Sequence, residues 1–426
     1  MLRRWLQNVD GWYVQATEGT PASQRAALAD DLQPLLPGFG DATYPSWRAL
    51  FAALTRQWPS GKRPLVLDEF PYWVLPAPEL PSVLQAMLEA SDRRVPVVLC
   101  GSSQRMMQGL VLGSAAPLFG RAQLSLRLAP LPATEIQGAL GLPDAISAVE
   151  GWAAFGGVPR YWELFCEGRY STVADAIDRL VLSPHGVLHE EADRVLRDEE
   201  AASLERAVCE LVGRGVRRSS ELAGRLAVKE TTLAKPLRHL VELGLVERQA
   251  PYDFSRGRPE VGGRRSFYRV ADPFLALWYS CVRPHLSGLN LGVSAARGDA
   301  RKALRHHAAA MWEELCRLHW HRLGHLDLEW EPAGRHWVSR ETTGAEWDVA
   351  SVSADRRHVL LGECKWSREV SRAKVEAIVR TMKQRALPPL PEGVQVHWGL
   401  FVPSHESLPR EVEGVTLFDA AAVLGR

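Results

Sequence analysis

The stretch "EWDVASVSADRRHVLLGECKW", Glu346–Trp366, sets charged residues at the ends of two otherwise apolar runs. "WDVASV" and "HVLLGEC" each read as a buried strand. Side chains alternate along a strand, so Glu363 and Lys365 share one face and Cys364 takes the other. A two-strand hairpin brings Asp348 beside Glu363. Two carboxylates within reach of each other suit Mg²⁺, and Lys365 would steady an attacking hydroxide or a developing phosphorane charge. Upstream, "MWEELC" on a helix offers Glu313 as a third carboxylate. The plain alternative is surface salt bridging, because Glu and Lys two apart on a strand are ordinary. Against it, these charges end buried strands, where an unpaired charge is costly.

The order helix Glu, strand Asp, hairpin, Glu-x-Lys resembles the PD-(D/E)XK nucleases. The resemblance implies an α/β, restriction-endonuclease-like domain over residues 300–426, with Glu313, Asp348, Glu363 and Lys365 as its site and Mg²⁺ on Asp348 and Glu363. Before it lies "HLSGLNLGVSAARGDA", His285–Ala300, whose Gly/Ser/Ala content reads as a linker. Further upstream, Arg218–Arg248 reads as a helix-turn-helix inside a winged helix over 201–290. Leu222, Ala223 and Leu226 form one apolar face, and Leu233, Leu237 and Leu240 another. Gly244 supplies the helix stop. Lys235 and Arg238 lie on the second helix. Arg256, Arg258, Arg264 and Arg265 lie on an Arg/Gly-rich wing, where they would reach DNA phosphates. Such modules also dock proteins, and Pro236 inside the second helix weakens base readout.

The N-terminal part alternates strands and helices, with continuously apolar strands, as in a parallel α/β sheet. "LVLDEF", Leu65–Phe70, ends in two carboxylates. In a nucleotide hydrolase Asp68 would hold Mg²⁺ and Glu69 would polarise the attacking water. The next strand runs into Ser103, placed to sense a γ-phosphate, and Arg121 would stabilise charge. "LFGRAQLSLRLAPL" reads as one more strand. A strand ending in Asp-Glu also serves simply to cap the following turn. Such a site needs a GxxxxGK[ST] loop, and none occurs in the sequence. "SGKRP", Ser60–Pro64, lacks the first glycine and the hydroxyl.

"GWYVQATEG", "LVLDEFPYW", "LCGSSQRMM", "LFGRAQ" and "GGVPRYWEL" together resemble the archaeal-type AAA ATPases that carry a C-terminal nuclease-like domain. The resemblance runs over nearly the whole chain. It implies a P-loop ATPase core over 1–133, a helical lid over 134–200, and then the winged helix and nuclease-like parts. In that family the phosphate loop precedes the helix matching "LRRWLQ", so the sequence as given reads as truncated before it, by a late start assignment or naturally. ATP binding is then expected to be poor. A longer form would use ATP and Mg²⁺, and would form a homo-oligomer if Arg121 acts in trans.

The whole chain agrees with a multi-domain protein. Its 426 residues suit about three domains, and 46% hydrophobic content gives each a core. A net charge of +1 creates no global attraction to nucleic acid, so DNA contact must be local. Six scattered cysteines imply neither zinc nor disulfides. No apolar run is long enough for a membrane span, and a cytoplasmic location is expected. The clustered histidines His306, His307, His319, His321 and His325 read as helix residues, not as a zinc site. The expected function is an AAA-type ATP-binding protein coupling nucleotide state to Mg²⁺-dependent DNA processing. The alternative is a DNA- or protein-binding regulator with both sites inactive.

Overall fold

The computed structural model describes residues 2–59, 63–89, 95–102, 107, 109, 116–199, 201–260, 266–338, 346–367, 370–406 and 408–425. The chain divides into two compact units, Met1–Leu128 and Ala129–Arg426.

In the first unit a three-stranded parallel sheet has the order β1-β2-β3, with β1 at Trp12–Gln15, β2 at Leu65–Asp68 and β3 at Val97–Leu99. The central strand is the most buried, as a strand with a neighbour on each side and helices over it must be. Helix α1 spans Leu2–Val9, α2 Pro21–Leu32 and α3 Trp47–Gln57. Thr20 caps α2 by accepting from Ser23 N, with Pro21 in the first turn. Ser46 caps α3 through Ala49 N. Leu28, Leu32, Leu50, Phe51 and Leu54 from these helices join Leu65 and Leu67 in one core. After β2 come α4 at Phe70–Val74 and α5 at Leu80–Glu89. The strand expected within "LFGRAQLSLRLAPL" does not form: residues 123–132 are irregular, and Leu124, Leu126 and Leu128 are exposed. Alternating leucines favour a strand only where another strand offers its backbone.

The second unit opens with helices α6 (Ala133–Leu140), α7 (Ala145–Phe155), α8 (Pro159–Gly168), α9 (Val173–Leu180) and α10 (Glu191–Asp198). Three more follow, α11 (Ser203–Gly213), α12 (Ser219–Leu226) and α13 (Glu230–Glu242). Leu222 and Ala223 of α12 and Leu233, Leu237 and Leu240 of α13 are buried. Ala227 turns the chain between α12 and α13 in the left-handed region (φ 52°), and Gly244 does so after α13 (φ 74°). An antiparallel ribbon pairs β4 (Val246–Gln249) with β7 (Phe267–Val270). Between them a two-residue ladder joins β5 (Tyr252–Asp253) and β6 (Arg258–Pro259).

The linker expected at His285–Ala300 is mostly helical. After α14 (Pro273–Leu277), helix α15 covers Leu286–Asn290, and α16 runs from Ser294 to His319 without a break. Alanine and arginine favour helix strongly enough to absorb the one glycine, Gly298. A six-stranded sheet follows, in the order β12-β13-β11-β10-β9-β8. Its members are β8 (Gly334–His336), β9 (Trp347–Val352), β10 (His358–Cys364), β11 (Gln395–Phe401), β12 (Glu411–Val412) and β13 (Val415–Phe418). β8, β9 and β10 are antiparallel neighbours, while β10, β11 and β13 run parallel. One face packs Val349, Leu360 and Phe401 with Trp312, Leu315 and Cys316 of α16. The other packs Ala350, Val352, Val359 and Leu361 under α17 (Arg372–Gln384), whose Val375, Val379 and Met382 recur at helical spacing. A final helix, α18, covers Ala420–Val423. The core on the α16 face is continuous from Ala133 to Leu424.

Candidate functional site

The register of β9 and β10 pairs Gly362 with Val349, so the next step puts Asp348 opposite Glu363. The ladder ends there because the Asp348 side chain takes over: its Oδ2 accepts from Cys364 N at 3.0 Å. Lys365 donates to Glu363 Oε1 at 2.6 Å, so these two share a face as their spacing requires. Glu313 comes from α16. These four side chains line one cavity of about 310 Å³. Glu346 beside β9, Arg335 of β8 and Arg385 at the end of α17 complete its wall.

The cavity is strongly charged, and two of its acids are buried, with Asp348 only 8% exposed and Glu363 7%. Burial pushes the Glu313 carboxyl up, and the negative charge of Asp348 adds to it. Burial likewise raises Asp348, with Glu363 adding to it. Burial also raises Glu363, but hydrogen bonds from Arg385 (2.7 Å) and Lys365 outweigh it and hold that carboxyl below the usual range. Arg335 pairs with Glu346 at 2.5 Å and approaches Glu313 at 3.9 Å.

Three carboxylates from three elements make a hard oxygen donor set, and two of them are pushed up partly by neighbouring negative charge. Those properties fit a divalent cation such as Mg²⁺. Among the described residues, no three acidic, histidine or cysteine side chains are already drawn into a ligand set. Lys365 and Arg385 take one Glu363 oxygen each.

A buried chain of ion pairs stands behind the cavity. Arg317 of α16 donates to the Asp348 carbonyl oxygen at 2.8 Å and to Glu314 at 2.9 Å. Glu314 also pairs with Arg269 of β7 at 2.8 Å, and Arg269 with Glu247 of β4 at 2.7 Å. Burial raises Glu314, but Arg317 and Arg269 overcome it and hold its carboxyl below the ordinary range. The strand that carries Asp348 is thus tied to the β4–β7 ribbon.

The excursion between β4 and β7 is also anchored. The Tyr252 hydroxyl accepts from Val352 N at 3.3 Å, and His336 Nδ1 donates to Tyr252 O at 2.9 Å. Phe254 packs beside His336. Tyr252 and Phe254 therefore belong to the sheet's own core. Arg256 and Arg258 remain exposed, with Arg256 3.5 Å from Asp253. Lys235 and Arg238 lie exposed on α13. Arg264 and Arg265 lie outside the described residues.

In the first unit, Asp68 and Glu69 sit at the carboxyl end of β2. Tyr13 of β1 donates to Asp68 Oδ2, and the Glu69 amide donates to Oδ1 at 3.1 Å. Glu69 adopts a left-handed conformation (φ 52°) and accepts from Ser102 N and Oγ at 3.2 and 3.0 Å. Arg121 pairs with Glu89. Ser103 lies outside the described residues.

Sequence reasoning missed Tyr13, Arg335, Glu346 and Arg385. For Arg385 a signal existed: it follows the last buried turn of an amphipathic helix that packs on the strands carrying the acids. All six cysteines are free, and among the described residues no helix is long and apolar enough to cross a membrane.

Residues 278–378 match the family DUF234, described as archaeal and bacterial proteins of unknown function, and that span includes Glu313, Asp348, Glu363 and Lys365. An uncharacterized protein of Methanocaldococcus jannaschii is 22% identical over 389 residues, 89% of this chain and 82% of the relative. Among solved structures, the Aeropyrum pernix ORC1 protein in complex with DNA is similar at TM-score 0.31 and 15% identity, over 68% of this chain and 82% of that one. A Thermotoga maritima RuvB variant is similar at TM-score 0.26 and 17% identity, over 59% and 84%. At those scores neither likeness carries an argument.

Proposed function

We propose that the chain is a DNA-processing protein whose second unit hydrolyses phosphodiester bonds with Mg²⁺, and that its first unit is an AAA-type nucleotide-binding module coupled to it. One observation carries the reading: Glu313, Asp348, Glu363 and Lys365 come from separate places in the sequence and line a single cavity. The order helix, three antiparallel strands, helix, parallel strand supports a PD-(D/E)XK-type core. Three helices followed by the β4–β7 ribbon support a winged helix, with Lys235, Arg238, Arg256 and Arg258 exposed, where they would meet phosphates.

Asp348 and Glu363 would hold the cation, with Glu313 behind them; when bound, it supplies Lewis-acid charge stabilisation at a phosphoryl oxygen. Lys365, fixed by Glu363, presents an ammonium that donates a hydrogen bond to an attacking water or to the charge developing on phosphate. Arg317 fixes Asp348 through its backbone. In the first unit, Asp68 and Glu69 would serve ATP together with a glycine-rich loop, which the 426 residues do not supply.

The second reading is a DNA- or protein-binding regulator without turnover. The double occupation of Glu363 by Lys365 and Arg385 favours it. Plasmid cleavage across a Mg²⁺ series separates the two. Cleavage that falls about a hundredfold or more in Asp348→Ala, in a protein with unchanged circular dichroism, supports the nuclease. Absence of cleavage at every Mg²⁺ concentration selects the regulator.

A further inference from the structure

The cavity's four carboxylates, Glu313, Glu346, Asp348 and Glu363, face three basic side chains, Arg335, Lys365 and Arg385. Glu363 is the most heavily engaged acid. Its Oε1 accepts from Lys365 Nζ at 2.6 Å and its Oε2 from Arg385 Nη1 at 2.7 Å. Each oxygen keeps a second lone pair, but a cation bound there would sit beside a charged donor, so repulsion favours the withdrawal of one of them. Lys365 directly follows β10, so its backbone stays beside the acids although its side chain is 46% exposed. It sits two residues away on the same face, and its backbone N donates to Phe401 O at 2.8 Å. Arg385 is different. It belongs to another element, at the end of α17, and its side chain is 24% exposed. Its Nη1 also donates to Glu346 O at 2.5 Å, and its guanidinium already lies 4.6 Å from the centre of the Trp347 ring, so these contacts can keep it in the cavity wall when Glu363 is released. An arriving divalent charge repels a guanidinium while it attracts the carboxylate.

We propose that Arg385 is an exchangeable counter-ion. It holds Glu363 when no divalent cation is bound, gives up that carboxylate when one arrives, and then binds a phosphate oxygen of the nucleic acid at the same cavity. Metal and phosphodiester binding become mutually reinforcing, because the metal frees the cation that the phosphate needs. The competition between Arg385 and the metal rests on the metal site of the proposed function, and the phosphate half rests on its nuclease activity as well. Arginine suits the role better than lysine, since a planar guanidinium can stack on Trp347 and grip two oxygens in turn.

Calorimetry with Mn²⁺ on the full chain tests the exchange without turnover. Arg385→Ala should bind Mn²⁺ about tenfold more tightly than the parent, because a charge-assisted hydrogen bond no longer competes. Arg385→Lys, which keeps the charge but loses the stack, should tighten binding by about threefold. Unchanged or weaker Mn²⁺ binding in both variants overturns the exchange, and the lysine variant decides the matter if the alanine variant does not fold. A short oligodeoxynucleotide titrated with and without Ca²⁺ tests the second half. Ca²⁺ should tighten its binding to the parent by about tenfold, and that gain should vanish in Arg385→Ala. A gain that persists in the variant overturns the phosphate role while leaving the competition standing. If the parent itself binds no Mn²⁺ at millimolar concentration, the metal site of the nuclease reading fails, and this proposal fails with it.

Discussion

The carboxylates at the end of β2 and those at the ends of β9 and β10 have similar sequence surroundings and different physical ones. Asp68 and Glu69 are satisfied locally, by a tyrosine hydroxyl, a backbone amide and a serine. Those donors belong to one sheet and its following turn. Asp348 and Glu363 instead share a cavity with two more acids and three bases. The difference teaches that an acidic strand end alone does not mark a site. What distinguishes the second region is excess like charge in a shielded space.

The sharpest way to break this contrast is to truncate one acid from each region. Asp348→Ala should lower Mg²⁺-dependent plasmid cleavage by about a hundredfold or more, while Asp68→Ala leaves the rate measured without ATP unchanged. Equal losses would mean that the two strand ends act together.

Next comes Glu314→Ala, which leaves Arg317 and Arg269 without their shared carboxylate. Urea unfolding should show a loss of about 3–5 kcal/mol, as for other broken buried ion pairs. A loss below about 1 kcal/mol would mean that water reaches the pair.

Two buried groups away from the acids sharpen the comparison through pH. Burial lowers the His307 imidazole to about 4, against a hydrogen bond to Ala153 O that raises it. The unfolded chain takes up that proton near 6.5, so stability falls as pH drops from about 6.5 to 4. Burial raises the Asp272 carboxyl to about 6, against backbone hydrogen bonds from Leu275 and Phe274. The unfolded carboxyl releases its proton near 3.8, so this contribution is present below that pH and is lost as pH rises toward about 6. Each amounts to roughly 3 kcal/mol, with opposite sign. Relative to the parent, His307→Gln should lessen the fall of the urea midpoint as pH drops from about 6.5 to 4. Asp272→Asn should steepen that fall between about 6 and 4. Profiles that parallel the parent in both variants would refute the assignment.

The smallest expected effect is Tyr13→Phe, which removes one donor from Asp68 and should cost about 1 kcal/mol in the first unit's unfolding. No change would place water where the hydroxyl stood.

Most of the second unit's strands and helices were legible because their patterns are local. The two-residue step from Glu363 to Lys365 predicts a shared face, and their 2.6 Å contact has that arrangement. The buried leucines of α13 follow their helical spacing. Arg335 was not legible, since the β8 register brings it in from far along the chain, and Arg385 was signalled only by the amphipathic pattern of the helix before it. Gly and Ser in His285–Ala300 suggested a linker, yet the alanines and arginines after Ser294 extend α16 through it. The leucines at Leu124–Leu128 alternate correctly and still form no strand, because pairing depends on a neighbour that their own sequence does not specify. Between β4 and β7 the arginines drew attention, while Tyr252 and Phe254 make the contacts with the sheet.

Those two aromatic anchors govern how the polypeptide can be cut. A fragment starting near residue 300 would keep every acid of the cavity but lose Tyr252 and Phe254, exposing an oily slot beside Val352 and His336. Such a piece should be sticky and poorly soluble when expressed alone. The shortest portion worth cloning begins near Ala129.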